Sequence, residues 1–208
     1  MSIQLFDSWA LNYDKSVVEA DEQDEFPFAG YRRVMQHIYS RIVAINAANV
    51  LDLGIGTGNL CHALYQQGID ITGIDSSAKM LDIARQRMPH ALLLQYDLGM
   101  GLPEEVGQQY YDAIISTYTL HHFADETKMQ LLTQLKPLLS ETGVVLIGDI
   151  MFSSTMDEHA CRQRAGEFFD EDEYYLIFDR VKSELDRDWV AEYWSFSYCA
   201  GVIELRKR

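Results

Sequence analysis

No stretch of this 208-residue chain approaches the roughly 20 consecutive apolar residues that a membrane-spanning helix needs. Its opening, MSIQLFDSWALNYDKS, lacks a basic start followed by an apolar core, so no secretory signal is expected. Cysteine is scarce: Cys61, Cys161 and Cys199 are odd in number and lack CxxC spacing. Neither a disulfide framework nor a cysteine zinc site is indicated, and a reduced, cytoplasmic setting is expected. Basic residues are outnumbered, 17 Lys and Arg against 32 acids, for a formal net charge of −15. Binding to nucleic acid draws on basic side chains that neutralise phosphates, so no nucleic-acid or membrane partner is expected and a small-molecule substrate is favoured. Oligomeric state is not legible.

What is present is an ordered, single-domain composition, 48% hydrophobic without low-complexity stretches. The middle of the chain alternates strand-like and helix-like segments. Strands are expected at 48–53, 69–74, 91–95, 111–117 and 144–150, and helices at 58–67 and through KMLDIARQRM. A further helix carries Leu131, Leu132, Leu135, Leu138 and Leu139 on one face. Such alternation implies an α/β fold, a doubly wound and mostly parallel sheet with helices on both faces. Residues 1–48 read as a helical lid, 49–150 as the core, 151–188 as an acidic and aromatic cap, and 189–208 as a β-hairpin bending near Ala200 and Gly201.

The chemistry concentrates in VLDLGIGTGNL, residues 50–60. The dinucleotide fingerprint GxGxxG would need a third glycine at position 59, where Asn59 stands. A P-loop would need a GK pair, which is missing. Asp52, at the strand end, would repel a pyrophosphate and suit a cationic ligand. Its alternative is a structural role, accepting hydrogen bonds from the glycine loop's own amides. Asp75 ends the second strand about 20 residues after Gly54, the separation at which an acid reaches ribose hydroxyls. Asp97 leaves the third strand where an acid can accept from an adenine amino group. Adenine, ribose and a cationic end without a phosphate describe S-adenosylmethionine (SAM).

VLDLGIGTGNL, TGIDSS, QYDL and YDAIISTYTLHHF, in that order, resemble the class I SAM-dependent methyltransferases. FDSWALNYD and SYCAGVIELRK extend the likeness to a small group of bacterial methyltransferases with an N-terminal FDxWAxxYD segment. The resemblance implies a seven-stranded, Rossmann-like methyltransferase fold ending in an antiparallel hairpin. It implies that Gly54, Gly56 and Gly58 pass under the methionine part of the cofactor, with Asp52 beside them. Asp75 would bind the ribose, Ser76 and Met80 would flank the adenine, and Asp97 and the Leu98 amide would hold its edge. Ser116 to Tyr118 would border the sulfonium. Ile55 departs from the smaller residue common at its place.

For catalysis, His121, His122 and Tyr13 are the candidates to meet the acceptor. Two adjacent histidines on a regular segment point apart, so one of them is expected to be a packing residue. No metal is expected, because HH lacks i, i+4 spacing and an evident third ligand. Phe6 and Trp9 read as packing residues; Tyr31 and His37 could also line the mouth, although nothing in their spacing says so. Two rivals stay open: a SAM-binding protein without transferase activity, and a nicotinamide-dependent oxidoreductase.

Overall fold

The computed structural model describes residues 13–208, with side chains from Val17 onward. Phe6 and Trp9, and the side chains of Tyr13 and Asp14, lie outside the described residues. Helices α1 (Tyr13–Glu22) and α2 (Tyr31–Ala44) precede the sheet. Then β1 (Asn49–Leu53), α3 (Asn59–Tyr65), β2 (Asp70–Asp75), α4 (Ala78–Arg87) and β3 (Leu92–Gln95) form the first half of the winding. The second half is β4 (Tyr111–Thr117), α5 (Asp125–Leu135) and β5 (Leu139–Phe152). The cap holds α6 (Thr155–Ala165), β6 (Leu176–Ile177) and α7 (Phe178–Asp188), and the hairpin is β7 (Trp189–Ser195) and β8 (Ala200–Lys207).

The strand order is β3-β2-β1-β4-β5-β8-β7, with the two-residue β6 paired to the far end of β5. Strands β1 to β5 run parallel; β8 pairs antiparallel with both β5 and β7. Successive residues of a buried strand face opposite sides, and the core divides accordingly. Val144, Leu146 and Ile150 join one apolar cluster with α2, α3 and α4, while Val145, Ile147 and Met151 join another with α5 and α7.

Three expectations shift. Strand β5 begins at Leu139, five residues early, because Leu139 already pairs with Tyr111 before an irregularity in the ladder. The polar Ser140, Glu141 and Thr142 interrupt the apolar run that made the strand legible. The leucine helix stops at Leu135, and Pro137 lies in the single turn that follows. The tail bends at residues 196–199 rather than at Ala200 and Gly201, which open β8. There Ser197 Oγ accepts from the amides of Cys199 and Ala200, at 3.2 and 2.9 Å, and donates to the Ala29 carbonyl at 2.6 Å. The turn is thereby built by one hydroxyl and tied to the chain before α2.

Helix α2 is fastened to the hairpin by a two-pronged ion pair. Arg41 Nε and Nη2 donate to Glu204 Oε2 and Oε1 at 2.7 and 2.6 Å, and Glu204 is buried. His37, on the same helix, packs against Trp194 and Phe196 with ring centroids 5.1 Å away. It is a packing residue of the hairpin.

Candidate functional site

In a doubly wound sheet the ligand crevice opens at the carboxyl ends of the strands, where the winding reverses. Here the reversal falls between β1 and β4, and a cavity of about 370 Å³ lies there. Its walls come from the loops after β1, β2, β3 and β4, with Tyr31 and Met35 of α2 closing one side. Asp52, Asp75 and Asp97 come from three successive strand ends, and all three line it. Among the described residues, none that lines it is Lys or Arg.

The loop after β1 turns sharply because Gly54 and Ile55 both donate to the Ile74 carbonyl, at 2.8 and 2.9 Å. Gly54 has φ +82°, and a Cβ on it would lie 2.1 Å from Thr119 Oγ1 of the loop after β4. Only glycine permits that approach. A Cβ on Gly56 would meet no protein atom within 4 Å. Its backbone faces the open cavity, so a side chain there would take ligand space. Gly58 does not line the cavity, contrary to expectation. A Cβ on it would lie 2.6 Å from Met88 Cε, so it lets the start of α3 pack beside the end of α4. Ile55 is accommodated by Gly73 of β2: its Cδ1 lies 2.4 Å from where a Cβ on that glycine would stand.

The three carboxylates are held differently. Asp75 accepts from the Gly56 and Ser77 amides, each at 2.8 Å, which orients it across the glycine loop. The structural role considered for Asp52 therefore falls to Asp75. Asp97 accepts from the Gly99 amide at 2.8 Å, capping a short turn that sets Leu98 against the cavity. Asp52 is 2% exposed; Cys61 Sγ donates to its Oδ2 at 3.1 Å, and its Oδ1 has no hydrogen-bond partner among the described residues. Burial pushes its pKa up to about 7; the Cys61 hydrogen bond opposes this and the Asp75 charge adds to it. A buried acceptor lacking a donor is costly, and a cationic ligand at the cavity floor would satisfy it. Ser76 and Met80 line the cavity as expected.

At the end of β4, Thr117, Tyr118 and Thr119 line the cavity, but Ser116 does not. Strand alternation turns Ser116 inward, where its Oγ donates to the Leu53 carbonyl of β1 at 2.9 Å. Tyr118 has φ +49°, a left-handed conformation unusual for an aromatic residue. Such strain collects at functional sites. It directs the ring against Tyr31 and Phe28, with centroids 5.1 and 5.5 Å away.

The histidines also part from expectation. Leu120–His122 is a single 3-10 turn rather than a regular segment, and both rings converge, with centroids 4.0 Å apart. His122 lines the cavity; His121, 7% exposed, does not. His121 Nδ1 lies 2.5 Å from Asp149 Oδ1, and its amide donates to Asp149 Oδ2 at 3.2 Å. Its Nε2 is 3.6 Å from Glu173 Oε1, and His122 Nδ1 is 3.4 Å from the same oxygen. Burial would lower the His121 pKa, but the charge and hydrogen bond of Asp149, with Glu173, raise it. Asp149 responds in the opposite sense: burial alone would raise its pKa, and His121 holds it below the usual range. His121, its ring held by Asp149 behind the wall, does not reach the cavity, which leaves His122 as the histidine that does.

Sequence reasoning missed Met35, Asn59, Tyr96, Thr119 and Phe123 on the cavity wall, and Glu173 beside the histidines. Tyr96 precedes Asp97, a position that strand geometry could have flagged. Glu173 sits in FFDEDEYYLIF among other acids, and no local pattern distinguishes it.

The profile of a methyltransferase domain matches residues 50–143. An uncharacterized methyltransferase of Alkaliphilus oremlandii is 34% identical over 181 residues, 87% of this chain and 80% of that one. Another, from Oceanobacillus iheyensis, is 32% identical, with 89% and 87% covered. The chain belongs to the class I SAM-dependent methyltransferase family.

Solved structures share the methyltransferase's fold. A complex of DhpI with S-adenosylhomocysteine superposes with a TM-score of 0.70 at 16% identity, covering 99% of this chain and 94% of that one. Magnesium protoporphyrin IX methyltransferase of Synechocystis PCC 6803, also with S-adenosylhomocysteine bound, gives 0.67 at 20% identity, covering 86% and 85%. Among the described residues, those present in this methyltransferase fit its cofactor: a carboxylate oxygen on Asp52 without a hydrogen-bond partner, an open cradle at Gly56, and no Lys or Arg lining the cavity. Among the described residues, no helix is long and apolar enough to cross a membrane.

Proposed function

We propose that this methyltransferase acts on a small-molecule acceptor, with the cofactor held by the three strand-end carboxylates. The observation that carries the reading is that Asp52, Asp75 and Asp97 line one cavity to which, among the described residues, no Lys or Arg contributes. A cationic nucleoside without phosphate matches that charge pattern; a dinucleotide does not. Asp75 accepts from the ribose hydroxyls, held in position by its bonds from the Gly56 and Ser77 amides. Asp97 and the Leu98 amide take the adenine edge, with Met80 and Tyr96 at its faces. Asp52 Oδ1 faces the ammonium of the methionine part, and Gly54 and Gly56 let the backbone approach it.

SAM supplies a methyl group on a sulfonium, a leaving group that needs little further activation. The protein's work is then to hold the acceptor in line and to keep water away. Tyr31, Met35, Tyr118 and Phe123 make that end of the cavity largely apolar. His122 is the titratable side chain placed there to meet a hydroxyl acceptor and its proton. The small-molecule assignment is supported by the net charge of −15 and by the size of the cavity. Three buried free cysteines fit a cytoplasmic setting.

The test is calorimetry with SAM, S-adenosylhomocysteine and NADH, followed by an acceptor panel. Binding of the first two without the third supports the reading. Binding of NADH alone overturns it, and SAM binding without turnover on any acceptor favours a SAM-sensing protein.

A further inference from the structure

We propose that His121 Nε2, His122 Nδ1 and a carboxylate oxygen of Glu173 form a binding site for a divalent transition metal at the wall of the cofactor cavity. One potential ligand atom from each of the three residues lies within 4.8 Å of the other two. The spacings from Glu173 Oε1 to the two ring nitrogens are 3.6 and 3.4 Å. Ligand atoms about 2.0–2.1 Å from a tetrahedral zinc ion stand about 3.3 Å apart, so the site needs little rearrangement.

The surroundings are those of a metal ligand set. Asp149 lies on His121 Nδ1 at 2.5 Å, which fixes the ring and leaves Nε2 as the coordinating atom. A carboxylate behind a ligating histidine recurs in metal sites and raises the basicity of the imidazole. Glu173 is positioned through its neighbour Tyr174, which is held at both its amide and its carbonyl. The Tyr174 amide donates to the His121 carbonyl at 2.8 Å, and the buried Lys128 Nζ, paired with Asp125 at 2.8 Å, donates to the Tyr174 carbonyl. Two imidazoles and one carboxylate suit zinc and its neighbours and leave a coordination position open.

His122 is both a member of the triad and part of the cavity wall, so the open position lies next to the acceptor end. A metal there would bind an acceptor oxygen and lower its affinity for its proton, and His122, as a ligand, would then serve the acceptor through the metal instead of meeting its proton directly. That use rests on the methyltransferase reading; metal binding does not.

The experiment titrates the full chain, stripped with a chelator and dialysed, with zinc by calorimetry and with cobalt(II) by visible absorbance. One equivalent should bind, with cobalt bands of a four- or five-coordinate site that include nitrogen ligands. Glu173→Gln and His122→Ala should each weaken binding at least ~10-fold, and Asp149→Asn roughly 10- to 100-fold. His159→Ala, an exposed histidine on α6, should change nothing. Absence of a one-equivalent site in the wild-type protein, or wild-type affinity in Glu173→Gln, would overturn the proposal. The wild-type cobalt spectrum does not depend on any variant folding, so octahedral, all-oxygen bands would also sink it. SAM affinity measured on the same samples separates the two readings: it reports the carboxylate cavity and should persist in Glu173→Gln.

Discussion

Asp52 offers the sharpest quantitative test of the cofactor assignment. Its carboxyl is buried, and burial raises its pKa from 3.8 to about 7 in the free protein. A carboxyl whose folded pKa is raised stabilises the fold fully below its unfolded value, and that contribution is lost as pH rises through the folded value. Three units correspond to up to roughly 4 kcal/mol between pH 4 and pH 7. A cationic ammonium beside Oδ1 reverses the balance by favouring the ionised form. Binding of SAM at pH 6 should therefore expel about 0.9 of a proton, because a group one unit below its pKa is about nine-tenths protonated. Affinity should rise about 50-fold from pH 5 to pH 7, a range in which the ligand's own amine, with pKa near ~8, stays protonated. Calorimetry in two buffers of different ionisation enthalpy reads the proton directly. Asp52→Asn keeps the shape, abolishes the proton release, and should cost ~1.5–3 kcal/mol of binding at pH 7, with the gap closing toward pH 5. Zero proton release at pH 6, or an unchanged affinity in Asp52→Asn at pH 7, would refute the placement of the cation at this carboxylate.

Other outcomes follow from the same geometry. Asp75→Ala should lower SAM affinity roughly 10- to 150-fold through the loss of charge-assisted hydrogen bonds, measured by calorimetry. The two loop glycines should separate: Gly54→Ala drives a methyl group into Thr119 and should depress the melting temperature, whereas Gly56→Ala faces open space. The latter should cost only about 1–2 kcal/mol of left-handed strain while weakening SAM binding more than tenfold. Arg41→Ala would strand the buried Glu204, with Arg206 Nε 3.7 Å away as its remaining partner. A loss near the low end of ~3–5 kcal/mol is expected, read as a melting shift of roughly 6–12 °C.

The cofactor half of the site was written in local pattern. A strand of apolar residues, a glycine turn and an acid at the next strand end are each set within a few residues, and parallel winding carries successive strand ends to one edge. Asp52, Gly54, Gly56, Asp75, Ser76, Met80, Asp97, Leu98 and Tyr118 consequently reach the cavity expected of them. The five core strands were legible for the same reason, except where polar residues interrupted β5.

Direction and convergence were decided only by the tertiary structure. Strand alternation sends Ser116 to the β1 backbone rather than the cavity, and helix packing claims Gly58 for Met88. A 3-10 turn brings His121 and His122 together, where a regular segment would have parted them. Glu173 reaches those histidines because Lys128 and the His121 carbonyl hold its neighbour Tyr174, and Arg41 finds Glu204 across 163 residues of sequence. Periodicity along a chain states which face a residue takes within its own element. Which residues meet across elements depends on packing, and packing is a property of the folded whole.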